Sequence, residues 1–570
     1  MDRAKLTSRT VDAVEASVDH LWARQRADGS WVDRLSSSPM TTAMAVMALA
    51  RACRETYAKQ IELGLSWLEH NQRADGGWSM ADTNPPSSPG TTAFAIAAFE
   101  SLAPGTTRSR IDAAQAFIES NGGESIIPGM VGSGPRTWPA AAAIAYVLAG
   151  LREPDQQPYQ PFEVMLLPRA LRNKVSIGLP GVLALGIMQS RTMPAGRLQR
   201  LAQRLSEPRA LAWLRAVQGP NGGVEECPML SAFIYIGLHD AGVGEDIQVG
   251  SLSYLLETQR DDGSWAVDRD LEISVTAYSI LALAELSDVA ADPRLEPTRD
   301  WLLSTQWTEP FRPLGIPAGG WSWNVPSGWP ESEDTAVVLY VLGLLGLTKE
   351  YPAVADGLRW LRARQNRNGS WSEWVRNSNI LNDRPCPGVT GHVLLTMNLL
   401  GDTGGARSPA GRALAYLRRV QAADGATPSI WFRDSTHGTA KVLETFAELG
   451  RPQDLVAVKA KQWLLGKQRP DGAWPLGVEV GVEGGTVEET AWAVYALLLS
   501  GVDPWSPAIT SALEWVLDNQ RTEGAWSPSP VGLYFDDLCY TDDLIAHTFT
   551  TRALARWCKL TGTAVPVGGR

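Results

Sequence analysis

Apolar residues recur along the chain at i, i+3, i+4 spacing, in short segments that come in pairs. The segment ALEWVLDNQ, ending at Gln520, is amphipathic. The segments TTAMAVMALARA (Thr41–Ala52) and TAWAVYALLLSG (Thr490–Gly501) are apolar and Ala-rich. Between an amphipathic segment and an apolar one stands a turn with Asp-Gly or Asn-Gly, which stops a helix and tolerates positive φ. Each unit is therefore predicted to be a helix pair. Sustained period-2 alternation is almost absent. The pattern predicts an all-α fold, either an α-solenoid or a solenoid closed into a ring.

One phrase marks the turns. QRADGSW runs from Gln25 to Trp31, QRADGGW from Gln72 to Trp78, QRDDGSW from Gln259 to Trp265 and QNRNGSW from Gln365 to Trp371. QRPDGAW ends at Trp474 and QRTEGAW at Trp526, with weaker copies at Gln218 and Gln421 and a looser one from Gln306 to Trp321. The spacing is roughly 40 to 60 residues, apart from a long gap after Gln72, and such a period means stacked supersecondary units. The copies account for much of an unusual composition of 23 Trp and 53 Gly. A binding residue need not recur in every unit, so the Gln and Trp are read as a staple. The Gln satisfies backbone groups at helix ends and the Trp packs on the next helix.

The chain has 570 residues, which favours at least two domains. A net charge of −11, with no basic run interleaved with aromatics, argues against nucleic acid as a partner. Five scattered cysteines show neither metal-ligand spacing nor a disulfide framework. The start, MDRAKLTSRTVDA, lacks the apolar core of a signal peptide, and no apolar run reaches the ~18 residues of a spanning helix. A cytoplasmic enzyme is the expectation.

The repeated phrase and its preceding helix resemble the QW repeat of squalene–hopene cyclases and related class II terpene cyclases. The resemblance implies two α/α barrels, called β and γ, with the substrate cavity between them. Mapped here, residues 1–14 begin the β domain, 15–270 form the inserted γ domain, and 271–570 complete the β domain with the acid motif.

The segment Gly319–Gly343, GGWSWNVPSGWPESEDTAVVLYVLG, resembles the family stretch in which an aromatic loop leads to Asp-x-Asp-Asp-Thr-Ala at a helix start. Here those positions are Glu331, Ser332, Glu333, Asp334, Thr335 and Ala336, so two of the three Asp are Glu. Protonating an unactivated alkene needs a neutral carboxylic acid in a dry cavity, kept protonated by apolar surroundings and a neighbouring carboxylate. The plain alternative for such a cluster is an acidic helix cap. By resemblance Glu333 is the general acid, with Asp334 and Glu331 its carboxylate neighbours. Glu reaches on the order of 1.3–1.5 Å further than Asp, which bears on where the substrate must lie. Asp383–His392, DRPCPGVTGH, is similar to the family's Asp-Val-Thr-Ala-His segment. It implies that His392 hydrogen-bonds the acid and lies on the route of its reprotonation; the family's Asp falls at Gly388.

Cyclisation makes carbocations, which aromatic faces stabilise. Trp323 lies where the family places a cavity aromatic, and Trp329, Trp431 and Tyr540 are further candidates. Segments 163–176, 375–387 and 541–554 resemble bacterial copalyl-diphosphate-type synthases. The implied reaction is cyclisation of geranylgeranyl diphosphate to a bicyclic copalyl-type diphosphate, with farnesyl diphosphate second and squalene the nearest rival. A diphosphate needs cations, for which Arg376, Arg384, Arg433 and Lys441 are candidates, with Mg²⁺ as charge neutraliser. Asp536-Asp537 and Asp542-Asp543 lack the spacing of a diphosphate-ionising motif and are read as structural or solvated. The expected partners are a small isoprenoid substrate, at most a peripheral membrane contact, a second copy in a homodimer, and a downstream class I terpene synthase. Two other classes share the α/α ring. A zinc prenyltransferase subunit would need a third ligand beside Cys386 and His392. A complement-type toroid, a binding module without catalysis, would leave the acid loop unexplained.

Overall fold

The computed structural model describes residues 2–82, 86–123, 138–176, 178–380, 383–476, 484–535 and 538–566. Asp536 and Asp537 lie outside them. Among these residues the chain is almost wholly helical, and its only strands form three two-stranded hairpins.

The first half contains α1 (Arg3–Ala23), α2 (Pro39–Cys53), α3 (Ala58–His70), α4 (Pro89–Leu102), α5 (Arg108–Ser120), α6 (Trp138–Leu148), α7 (Leu179–Thr192), α8 (Arg197–Val217), α9 (Pro228–Ala241) and α10 (Glu245–Thr258). The second half contains α11 (Glu272–Leu283), α12 (Glu296–Ser304), α13 (Ser332–Leu344), α14 (Pro352–Arg364), α15 (Pro387–Leu399) and α16 (Pro409–Val420). It continues with α17 (Thr436–Glu448), α18 (Leu455–Lys467), α19 (Val487–Leu499), α20 (Pro507–Asp518) and α21 (Asp543–Leu560).

The apolar helix of each pair is the inner one. In the second half α11, α13, α15, α17, α19 and α21 pack each on the next, and α21 returns to α11, closing a six-membered ring. Nearly every residue of α13 and α19 is buried, as a helix surrounded by others requires. The amphipathic helices α14, α16, α18 and α20 lie outside, and α1 packs on α20 and α21 as a further outer helix. In the first half, α6, α4, α2, α9 and α7 pack in that order as the inner layer of the other barrel, with α3, α5, α8 and α10 outside.

The Gln–Trp phrase is a staple with three parts. Gln468 Nε2 donates to Gly472 O (2.8 Å) and to Ala508 O at the start of the next outer helix (2.7 Å). Trp474 Nε1 donates back to Leu464 O on the preceding helix (2.8 Å). The backbone N–H of Trp474 donates to Thr490 Oγ1 on the next inner helix (3.0 Å). The copies at Trp78 and Trp371 repeat this geometry. The Trp N–H satisfies a carbonyl left open at the end of the preceding helix, and the Gln ties the turn to the start of the next outer helix. The Gly of the turn is needed: Gly472 has φ +97° and lies against the backbone of Ser511, where a Cβ would collide.

The staples also show where the chain changes barrel. Gln25 reaches Arg294 O and Thr298 beside α12, and the Trp31 N–H reaches Thr276 on α11. The chain up to Trp31 therefore packs with the second-half ring. The copy at Gln259–Trp265 returns to Gln60 on α3 and Thr42 on α2. The crossing thus falls between Trp31 and α2, beyond the position near residue 15 expected from sequence. Each staple looks identical locally, and only ring closure shows which helix it grips.

Candidate active site

The acid motif is placed by a closed loop. The Glu331 N–H donates to Trp321 O (2.8 Å), joining the ends of the aromatic loop and setting Glu331 at the N-cap of α13. Glu333 and Asp334 then fall in the first turn, where the helix dipole favours negative charge. Ser332 Oγ donates to Ser372 O (2.6 Å), tying this turn to the loop after α14.

Three adjacent inner helices converge on the motif. From α15, His392 Nδ1 bonds Glu333 Oε1. From α11, Ser274 Oγ donates to Asp334 Oδ1 (2.7 Å). Glu331 and Asp334 are buried carboxyls hydrogen-bonded to one another, a pair that shares a proton. Burial, then the charges of Glu373 and Asp334, holds the Glu331 carboxyl well above its ordinary range. Burial also raises Asp334, partly offset by its bonds from Glu331 and Ser274. His392 is pushed down by burial, so the neutral ring is favoured. Glu333 Oε2 is buried and has no hydrogen-bond partner.

A further carboxyl stands behind the acid. Glu373 Oε2 accepts from the Glu333 backbone N–H (3.0 Å), and its Oε1 accepts from Trp431 Nε1 (2.9 Å). Burial and the charge of Glu333 hold Glu373 well above the carboxylate range. Sequence reasoning missed this residue. The available signal was a charged residue between Trp371 and Trp374, inside a turn that the staple buries.

Glu331, Glu333 and Asp334 all border one cavity. Its other walls are largely aromatic: Trp323, Trp374, Trp431, Phe432, Tyr278 and Tyr540. Trp374 is the hub, edge-on to Trp323 at 6.1 Å and to Trp431 at 5.6 Å between centroids. The structure thus brings Trp323, Trp431 and Tyr540 to the cavity. Trp329 instead packs between Phe311 and Trp374 beside a neighbouring small cavity.

The four cationic candidates stand elsewhere. Arg376 and Arg384 are exposed. Arg433 is half-buried, its backbone N–H bound to Val531 O. Lys441 is the sixth residue of α17, roughly 7.5 Å down the helix axis from its first, and is paired with Glu444 at 2.6 Å. No Lys or Arg borders the main cavity among the described residues. Asp542 caps α21 by accepting from the Ile545 N–H (2.9 Å). Cys386, the N-cap of α15, is buried, and the described residues contain no group of three His, Cys, Asp or Glu that could hold a metal.

A second pair of carboxyls borders the cavity. Asp268 Oδ2 accepts from Trp323 Nε1 (3.0 Å). Glu225 is buried at φ 56°, a conformation unusual for a side-chain-bearing residue, and its Oε1 has no partner. Burial holds both well above the carboxylate range. The adjacent Glu226 accepts from Ser327 N (2.9 Å) and Tyr254 OH (3.1 Å), binding the aromatic loop to the other barrel.

The squalene–hopene cyclase C-terminal domain family matches residues 272–559, and the N-terminal domain family matches 14–176. A squalene–hopene cyclase from Alicyclobacillus acidocaldarius is 26% identical, over 96% of this chain and 97% of its own. A squalene–hopene cyclase from Bradyrhizobium diazoefficiens is 28% identical over 44% of this chain and 43% of its own. Among solved structures, an ent-copalyl diphosphate synthase from Streptomyces platensis is similar in fold, with a TM-score of 0.54 at 19% identity, over 96% of this chain and 99% of that one. No described helix is long and apolar enough to cross a membrane. With the C-terminal family model covering half of the chain and the buried carboxyl cluster facing an aromatic cavity, the chain belongs to the squalene–hopene cyclase superfamily of class II terpene cyclases and is a cyclising enzyme.

Proposed function

We propose that the protein protonates the terminal double bond of a linear prenyl diphosphate from Glu333 and retains the diphosphate in a cyclic product. Geranylgeranyl diphosphate, giving a bicyclic copalyl-type diphosphate, is the first substrate, and farnesyl diphosphate, giving a drimenyl-type product, the second. The observation that carries the chemistry is Glu333 itself. One oxygen is held by His392, while the other, buried and unpartnered, belongs to a carboxyl bordering an aromatic cavity.

Glu333 Oε2–H gives its proton to the less substituted alkene carbon, and the π electrons form the new C–H bond. The cation left on the other carbon is attacked by the next double bond, and each ring closure moves the charge along the chain. Trp323, Trp374 and Trp431 offer π faces that stabilise that charge without bonding to it. The Glu331–Asp334 pair flanks Glu333 at the N-terminus of α13 and shares a proton. The neutral His392, assigned Nδ1–H by this arrangement, then donates to the Glu333 carboxylate.

Mg²⁺ belongs to this reading as a counter-charge. Glu225 and Asp268 fit it: they are hard oxygen donors bordering the cavity, and Glu225 Oε1 is unpartnered. Held there, the ion would neutralise diphosphate charge. A second reading, a neutral hydrocarbon such as squalene, is favoured by the lack of Lys or Arg among the described cavity residues.

One experiment separates them. The enzyme is incubated with geranylgeranyl diphosphate, farnesyl diphosphate or squalene, with and without EDTA, and products are dephosphorylated and analysed by mass spectrometry. A cyclic alcohol from a diphosphate, reduced by EDTA and abolished in Glu333→Gln with the circular dichroism spectrum intact, is expected. Conversion of squalene alone selects the second reading. Full activity in Glu333→Gln removes Glu333 from its role.

A further inference from the structure

The ring that carries the acid has an unusual axis. Below the acid motif its inner helices turn a run of buried charged and phenolic side chains toward one another. Lys441 and Glu444 of α17 pair at 2.6 Å. Glu444 Oε1 accepts from Arg552 of α21 at 3.0 Å. Arg552 Nε lies 3.8 Å from Glu285, just beyond α11. Glu285 also accepts from Tyr495 OH of α19 (2.7 Å) and from Arg556 (3.1 Å).

Two small cavities run through this column. One is bordered by His392, Lys441, Glu444, Arg552 and Tyr340. The other is bordered by His437, Lys441, Glu444, Tyr495 and Arg552. At the far end Glu285 borders a solvent-open depression with Asp288 and Lys559. The polar side chains therefore connect solvent, at one end of the barrel, to His392 and through it to Glu333.

Stability does not account for this column. Burying charged groups costs several kcal/mol each, and well-packed apolar side chains are often as stable or more so. Catalysis gives it a task. Each cyclisation takes the proton of Glu333 into the product, while the final deprotonation releases one elsewhere. Glu333 must then be reprotonated from a cavity whose walls are mostly aromatic.

We propose that the column from Glu285 to His392 is the path by which Glu333 recovers its proton. The proposal rests on the cyclase reading above. At most one water in each small cavity, together with the side chains between them, carries the proton. Glu285, Tyr495 and Glu444 orient that water, while Lys441 and Arg552 hold Glu444 as an ion. His392 makes the last transfer: Nδ1–H gives its proton to the Glu333 carboxylate as Nε2 takes one from water. No bond other than O–H and N–H is made or broken, and solvent supplies the proton.

The test separates first turnover from later ones. Glu285→Gln and Tyr495→Phe are compared with wild type by rapid quench. First-turnover rates within about twofold of wild type, with steady-state rates at least tenfold lower, are expected. Imidazole in the buffer should restore the steady state, since a small proton carrier replaces the path but repairs no packing. Equal losses in first and later turnovers, or no loss, overturn the proposal. A second readout needs no substrate: exchange of the His392 ring proton with water, followed by NMR in ¹⁵N-histidine enzyme. It should slow at least tenfold in Glu285→Gln, and an unchanged rate overturns the path. A wild type that cyclises nothing refutes the cyclase reading alone, because ring-proton exchange still decides the path.

Discussion

Replacing Glu333 by Asp keeps the acid and moves it. The shorter side chain withdraws the carboxyl by one methylene, about 1.5 Å. Two contacts measure what that does. Oε1 is bound to Nδ1 of His392, which is fixed by its place on α15 and is fully enclosed. Oε2 belongs to the edge of the cavity, where the alkene must approach within about 3 Å. The Asp carboxyl cannot hold both ends without a shift of α13, and Ser332 and Glu373 pin that turn to the neighbouring loop. A misplacement of 1 Å in a reacting group costs on the order of 10²-fold, or about 2.7 kcal/mol in the barrier. Glu333→Asp should therefore lose about a hundredfold in kcat while remaining folded, with a stability loss of no more than about 1–3 kcal/mol. The assay is product formation under substrate saturation, beside urea denaturation of the same preparations. A Glu333→Asp enzyme as fast as wild type would refute the claim that the length of this side chain sets the proton's position.

Trp431→Phe keeps an aromatic ring at the cavity but deletes the N–H that holds Glu373; kcat should fall about tenfold with KM little changed, and an equal rise in KM would instead mark Trp431 as a binding residue. Gln468→Leu leaves two staple carbonyls without their donor, and urea titration should show a loss of about 2 kcal/mol; a loss under 0.5 kcal/mol would mean the staple is ornamental. Glu373→Gln tests linkage. Burial raises the folded pKa of Glu373, so its favourable contribution is full below the unfolded carboxyl pKa and is lost as pH rises through the folded value. The variant has no such titration, so the stability difference, variant minus wild type, should grow between pH 5 and 8. Unfolding titrations across that range check it, and a shrinking difference would contradict the sign.

The Glu333–His392 contact was legible before the fold because each residue lies in a short phrase at a helix start, and the resemblance joined the two phrases. Glu373 was not. It sits 40 positions from Glu333, and only the packing of the α14–α15 loop against α13 gives it a partner. The cationic candidates failed to reach the cavity for a similar reason. Their place in the chain gave the right barrel, but a helix start does not say how deep the sixth residue lies, and Lys441 points into the axis rather than the cavity.

Sequence alone determined the local machinery: helix pairs from apolar spacing, turns from Asp-Gly and Asn-Gly, staples from Gln and Trp, and a carboxyl cluster at a helix N-terminus. Within one unit these act through hydrogen bonds four positions on or ten back, as from Gln468 to Gly472 and from Trp474 to Leu464, so the local code suffices there, while the staple's other bonds reach a neighbouring unit. Tertiary structure decided which units are neighbours. It carried α1 and Trp31 into the second-half ring, set Ser274, Glu333 and His392 on adjacent helices, and aligned charged groups from several inner helices on one axis. Those meetings depend on closure of the ring, which brings together residues separated by tens to hundreds of positions, and identical staples carry no mark of the helix they will grip.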